Sequence, residues 1–141
     1  MKQVKSELST FQFQGFTIER SLFERLEVKI SKSLSIKIIP KGKYLKEQNK
    51  FELFLGIRIE DSNKTLKIEI DSIGIFILSG QSSDEILKSY LFLNAPAILF
   101  PYIRAYIASL TTLSGAGFPV TLPTLNLTNI GQELERNTEF I

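Results

Sequence analysis

Asp71, Asp84 and Glu85 are the carboxylates nearest to an arrangement that could trade a proton. Ser114 is the candidate nucleophile, and Asp61 with Asn63 the candidate cation ligands. None of these sets is completed by its surroundings. The chain has no histidine, so the commonest general base and the commonest transition-metal ligand are both missing. Ser114 lacks the strand-turn-helix setting of a nucleophile elbow and has no imidazole to activate it. Asp61 and Asn63 are too few for a calcium loop. Asp71, Asp84 and Glu85 read as solvated carboxylates at a strand end and a helix start. Gly115-Ala116-Gly117 closes a helix, which is the wrong end for a phosphate. With no cysteine, disulfides and thiol catalysis are excluded as well. The residues therefore describe a binding protein, not an enzyme, with no metal and no cofactor expected.

Charge is small in sum and uneven in place. The net charge is +2, yet Lys29, Lys32, Lys37, Lys41, Lys43, Lys46 and Lys50 share one interval with Glu47 as its only acid. Such a row is either a solvated strand face that guards a sheet edge or a surface attractive to anionic segments. A basic sheet bearing Phe11, Phe13 and Phe16 could also bind single-stranded nucleic acid, provided those rings stand open to solvent as stacking platforms. Sheltered rings would speak against it.

The elements that must position these residues are legible as alternation. Phe11 to Ile18 reads as a strand with Gly15 at a bulge. Leu26, Val28 and Ile30 alternate with charged residues, and Leu34, Ile36 and Ile38 repeat the pattern up to a turn expected at Pro40–Lys43. Phe51 to Ile59 is an amphipathic strand, Asp61–Lys64 a turn, and Leu66, Ile68 and Ile70 the start of another strand. Beyond it the apolar residues appear on both parities: Ile73, Ile75 and Ile77, with Phe76 and Leu78 between them. A strand apolar on both faces is covered on both, and Gly74 marks a bulge or a close backbone approach. Ser82 and Glu85 have capping-box spacing for a helix through Leu91, and Ile130 to Arg136 suggests a short last helix. No apolar run of signal-peptide length lies in MKQVKSELSTFQF, so a cytoplasmic protein is expected. The whole chain, residues 1–141, reads as one α+β domain of two layers: four or five antiparallel strands packed against helices.

Between Ser89 and Gln132 the only charge is Arg104. Within that interval Leu99, Tyr102, Ile103, Tyr106, Leu110 and Leu113 recur at three- and four-residue steps, which predicts a helical stripe. Its other face is small and uncharged, and a helix of that kind needs cover on a second side, most simply from another subunit. Pro96 suits a first turn near Asn94 or Ala95, and Pro101 predicts a kink. Two prolines and an arginine inside the window argue against a membrane span.

Asn94-Ala95-Pro96-Ala97-Ile98-Leu99-Phe100-Pro101-Tyr102-Ile103-Arg104 resembles the signature of the SecB family of bacterial export chaperones. Gly117-Phe118-Pro119, Leu125-Asn126-Leu127 and Gly74-Ile75-Phe76 resemble its flanking motifs. The likeness is specific from about residue 66 to 130. It implies an ATP-independent holdase, a homotetramer built as a dimer of dimers, which keeps unfolded or precursor polypeptides competent for export and passes them to the motor SecA. Typical members are acidic, whereas this chain is basic, which counts against SecA as its partner. It also leaves room for a specialised SecB-like chaperone of one client, such as a toxin–antitoxin pair. On this resemblance the client groove is expected at Leu34, Ile36 and Ile38, faced by Phe118, Leu122, Leu125 and Leu127. The oligomer interface is expected at Ile68, Ile70, Ser72, Leu99, Tyr102, Tyr106 and Leu110, so that a charge at Ile70 would lower the oligomer mass.

Overall fold

Alternating residues place the strands β1 (Thr10–Arg25), β2 (Leu34–Leu45), β3 (Lys50–Asp61) and β4 (Leu66–Ser79) in one sheet, joined by a short β5 (Thr138–Phe140). The order is β1-β4-β3-β2-β5. All neighbours are antiparallel except β2 and β5, which run parallel. This computed structural model describes residues 9–26, 33–115, 120–123 and 126–141. The expected strand at Leu26, Val28 and Ile30 falls mostly outside them; Leu26 itself follows β1 and is 69% exposed.

The helical layer begins at α1 (Asp84–Ser89), passes a wide π-type turn (Tyr90–Asn94) and continues as α2 (Ala95–Leu113); α3 (Leu127–Arg136) follows later. Ser83, one residue beyond the expected Ser82, caps α1 by accepting from the Ile86 N–H at 3.2 Å. Asn94 is not a cap, because its backbone is already helical. Pro101, where a kink is expected, lies inside α2. A wide turn comes earlier, just before Pro96, with the Ala95 N–H bonded to the Tyr90 carbonyl. A proline ring crowds the carbonyl four residues back, and widening the turn before it relieves that contact. Packing exploits the same place. A Cβ on Gly131 of α3 would sit 2.5 Å from the Phe92 carbonyl oxygen, so α3 crosses the turn at a distance only glycine permits.

The core lies between the sheet and α2. Even-numbered residues of β4 from Leu66 to Leu78 are buried without interruption. The bulge offered for Gly74 is therefore absent from β4. The shifts fall in its partner β1, between Phe13 and Gly15 and between Ile18 and Arg20, and Gly15 takes a φ of +120° there. Gly74 serves close approach instead: a Cβ would lie 3.1 Å from Leu99 Cδ2 of α2. By length and apolarity the run Asp84–Leu113 is fit to cross a membrane, but its Leu99, Ile103 and Ile107 are fully buried as core.

The turn expected at Pro40–Lys43 is instead strand. β2 continues through it, with Pro40 paired to Leu55 and Gly42 to Leu53. Proline survives because of its direction in the ladder. In an antiparallel strand a residue's N and O point the same way, and the Pro40 carbonyl accepts outward from Asn137 Nδ2 at 3.4 Å. Its missing N–H thus removes no bond to β3.

Ion pairs brace the face of the sheet away from the helices. Arg20 Nη1 of β1 lies 2.7 Å from Glu69 Oε1 of β4, and Lys67 is 3.7 Å from the other oxygen. The hydrogen bond from Arg20 is the main cause that holds the Glu69 carboxyl below its ordinary value near 4.5. A carboxyl depressed in the folded state lends stability that is fully present above that ordinary value and is lost as pH falls through the lower, folded value. Acid denaturation monitored by circular dichroism should therefore show a shallower loss of stability across that window in Glu69→Gln than in the parent chain.

Candidate functional site

β3 pairs with β2 along its whole length, but β5 meets β2 only at Gly42–Tyr44. The bonds on this outer side fix which main-chain groups face away from β3. The Gly42 N–H donates to the Asn137 carbonyl at 3.2 Å, and the Tyr44 carbonyl accepts from the Ile141 N–H at 2.8 Å. Even-numbered residues of β2 therefore point their N–H and C=O outward. At Leu34, Ile36 and Ile38 those groups meet no strand among the described residues. The side chains of the same three residues lie on the helix side of the sheet, half-buried beside the core. Ile36 and Ile38 stand opposite Ile59 and Ile57, both fully buried. One short edge thus offers a row of main-chain donors and acceptors together with an apolar margin, the requirements for taking up an extended chain as an added strand.

The other expected wall is divided. Leu122 is 1% exposed and belongs to the core. Its neighbour Val120 is tied to α2, the Val120 N–H donating to Thr111 Oγ1 at 2.8 Å. Leu127 is half-buried and lines a shallow groove with Phe92, Leu93 and Gly131, between the wide turn and α3. Phe118 and Leu125 lie outside the described residues. β5, which no alternation or turn signal marks, closes the far end of the edge. There Phe140 packs edge-on to Tyr44 at 5.8 Å, and burial pushes the Tyr44 phenol up from its ordinary value.

The expected interface residues separate by burial. Ile68, Ile70, Ser72 and Leu99 are 0% exposed within a single chain. The cover inferred for them comes from the chain's own helical layer, and the Ser72 hydroxyl donates to the Leu55 carbonyl at 2.8 Å. The stripe on α2 is also rotated from the one expected. Leu99, Ile103, Ile107 and Thr111 form the buried line. Threonine fits because its hydroxyl donates to the Ile107 carbonyl at 3.0 Å while accepting from Val120. Tyr102, Tyr106 and Leu110 flank this line, with Tyr102 48% exposed. The Tyr106 hydroxyl donates to Ser21 Oγ of β1 at 2.7 Å.

The phenylalanines of β1 are occupied by the chain's own rings. Phe11 stacks between Phe76 and Tyr90, with centroids at 4.9 and 5.1 Å. Phe13 and Phe16 pack against Tyr102 at 5.4 and 5.2 Å. All three are sheltered on the helix side, which removes the platform that stacking nucleic-acid bases would need.

Comparison with known proteins agrees with this fold. A family model described as preprotein translocase subunit SecB matches residues 21–135. Protein-export protein SecB of Anaplasma marginale is 30% identical over 99 residues, covering 66% of this chain and 55% of that protein. The chain thus spans about half the length of the curated SecB relatives it matches. An uncharacterized protein of Methanocaldococcus jannaschii is 30% identical over 115 residues, covering 75% of this chain and 73% of that protein. Among solved structures, a SecB-like chaperone of Mycobacterium tuberculosis in complex with an antitoxin peptide superposes with a TM-score of 0.62. It is 18% identical and covers 82% of this chain and 88% of that one.

Proposed function

The chain belongs to the SecB family, and on that premise we propose that it is an ATP-independent holdase for unfolded or precursor polypeptides bound for export. The observation that carries this reading is the coincidence, in Leu34, Ile36 and Ile38, of outward main-chain groups with apolar side chains. An extended client adds edge hydrogen bonds of roughly 0.5–1.5 kcal/mol each. Each large side chain it covers contributes roughly 1.5–3 kcal/mol when burial is complete. No pocket demands one residue type, so binding is broad in sequence. The protein works in the cytoplasm as a homotetramer, a dimer of dimers, in which Tyr102, Tyr106 and Leu110 meet a second copy. Leu127, in the groove beside Phe92 and Leu93, extends the apolar wall.

A dedicated chaperone of one client is the second reading. It is favoured by the basic balance of the chain, +2 with a lysine-rich strand, and by the antitoxin peptide bound to the structural relative. The same balance makes SecA the less fitting partner.

The test is suppression of aggregation when a chemically unfolded protein is diluted into the purified chain without ATP. Suppression near stoichiometric ratio, which the folded form of the same substrate does not compete away, is the expected result. A stable oligomer that leaves aggregation unchanged for every substrate would contradict the general holdase.

A further inference from the structure

The face of the sheet opposite the helices has no covering layer among the described residues, and its charges do not balance locally. The carboxylates on β3 and β4 are matched within the chain: Glu52 by Lys50 at 3.3 Å, Glu60 by Lys64 at 2.9 Å, Glu69 by Arg20 and Asp71 by Arg58 at 2.8 Å. On the outer strand β2, Lys37, Lys41 and Lys43 point to this face, are exposed, and have no carboxylate partner among the described residues. At about 3.3 Å per residue they span roughly 20 Å of strand. Glu139 of β5 and Glu52 of β3, both in register with Lys43, offset that end of the row in part, whereas Lys37 stands opposite Arg58.

Next to these lysines the face is indented. A cleft of about 250 Å³ is lined by Lys41, Lys43, Glu52, Phe54, Ile73 and Glu139, and Lys41 Nζ lies 5.7 Å from the centre of the Phe54 ring. Its surface is mostly apolar, and the charged groups that line it are two lysines and two carboxylates. We propose that this face docks an acidic, extended peptide segment of a partner protein, with one large apolar side chain in the cleft on Phe54 and Ile73 and carboxylates on Lys37, Lys41 and Lys43. Charge complementarity selects a carboxylate-bearing segment. The distribution of acids selects peptide over polynucleotide. A continuous line of phosphates would run against Glu52 and Glu139, whereas carboxylates on a peptide can be spaced to meet the lysines alone. This surface lies on the opposite side of the sheet from Leu34, Ile36 and Ile38, and its occupant is independent of the holdase reading.

The experiment titrates the full chain with three fluorescent probes: a Glu/Asp-rich peptide with a central phenylalanine, its lysine-rich counterpart, and oligothymidylate. The acidic peptide should bind best, and binding should weaken with added salt. The variant K37Q/K41Q/K43Q should lose about ten-fold in affinity for it. Phe54→Ala should weaken binding with the salt dependence retained. Because the lysines are exposed, the triple variant should keep its circular dichroism and its suppression of aggregation. Unchanged affinity in the triple variant, or equal binding of oligothymidylate or the lysine-rich peptide, would overturn the proposal.

Discussion

Ile70→Asp is expected to unfold the domain, while Ile77→Asp, seven residues further along the same strand, is expected to leave it folded. Ile70 is 0% exposed beneath the helical layer. The substitution forfeits roughly 1.5–3 kcal/mol of burial and brings in a carboxyl that must either stay charged without a partner or be neutralised at a cost of several kcal/mol. Domain stabilities are only about 5–15 kcal/mol in total. Ile77 has the opposite parity, is half-buried on the other face, and stands across from Lys50, so a carboxylate there costs about 1 kcal/mol. Urea titration followed by circular dichroism reads both. A folded Ile70→Asp chain of merely reduced oligomer mass would restore Ile70 to an outer interface and contradict the layer assignment.

Proline substitution along β2 should divide stability from function. At Ile36 the N–H points away from β3, so Ile36→Pro removes an edge donor without breaking the ladder, as native Pro40 does four residues on. Its stability should fall by only about 1 kcal/mol, from lost side-chain area. Suppression of client aggregation should drop about ten-fold, because the added strand loses a main-chain bond and an apolar contact together. Lys37→Pro reverses the pattern. That residue bonds toward Arg58 on β3, and leaving the carbonyl there unpaired costs about 1–3 kcal/mol of stability. Equal melting temperatures for the two variants would show the assigned bonding direction to be wrong.

The sheet was legible because alternation is a local signal: Phe51–Ile59 and Leu66–Ile70 appear as strands in the sequence and are strands in the fold. What alternation could not reveal is which covering layer each parity meets. Ile68 and Ile70 and the series Ile73, Ile75 and Ile77 look equally apolar, yet the even series meets the helices and the odd series the open face. The same ambiguity rotated the stripe on α2, where three- and four-residue steps fit either of two adjacent lines. Thr111 joined the buried line through hydrogen bonds that its residue type does not announce. At Pro40 and Gly42 turn composition was overridden by pairing with β3 and by an outward carbonyl that needs no N–H beside it. Leu34, Ile36 and Ile38 were visible as a strand, but that they meet no outer strand among the described residues depends on β5 pairing only at Gly42–Tyr44, a long-range fact with no local trace.

The most direct measurement of the central claim is amide hydrogen exchange of this chain with and without an unfolded client. The account predicts slowed exchange at the Leu34, Ile36 and Ile38 amides when client is present, with no change at the odd-numbered β2 amides already bonded to β3. The folded form of the same client should produce no such protection. Aggregation suppressed while those three amides exchange at their free rate would contradict the edge as the place where clients are held.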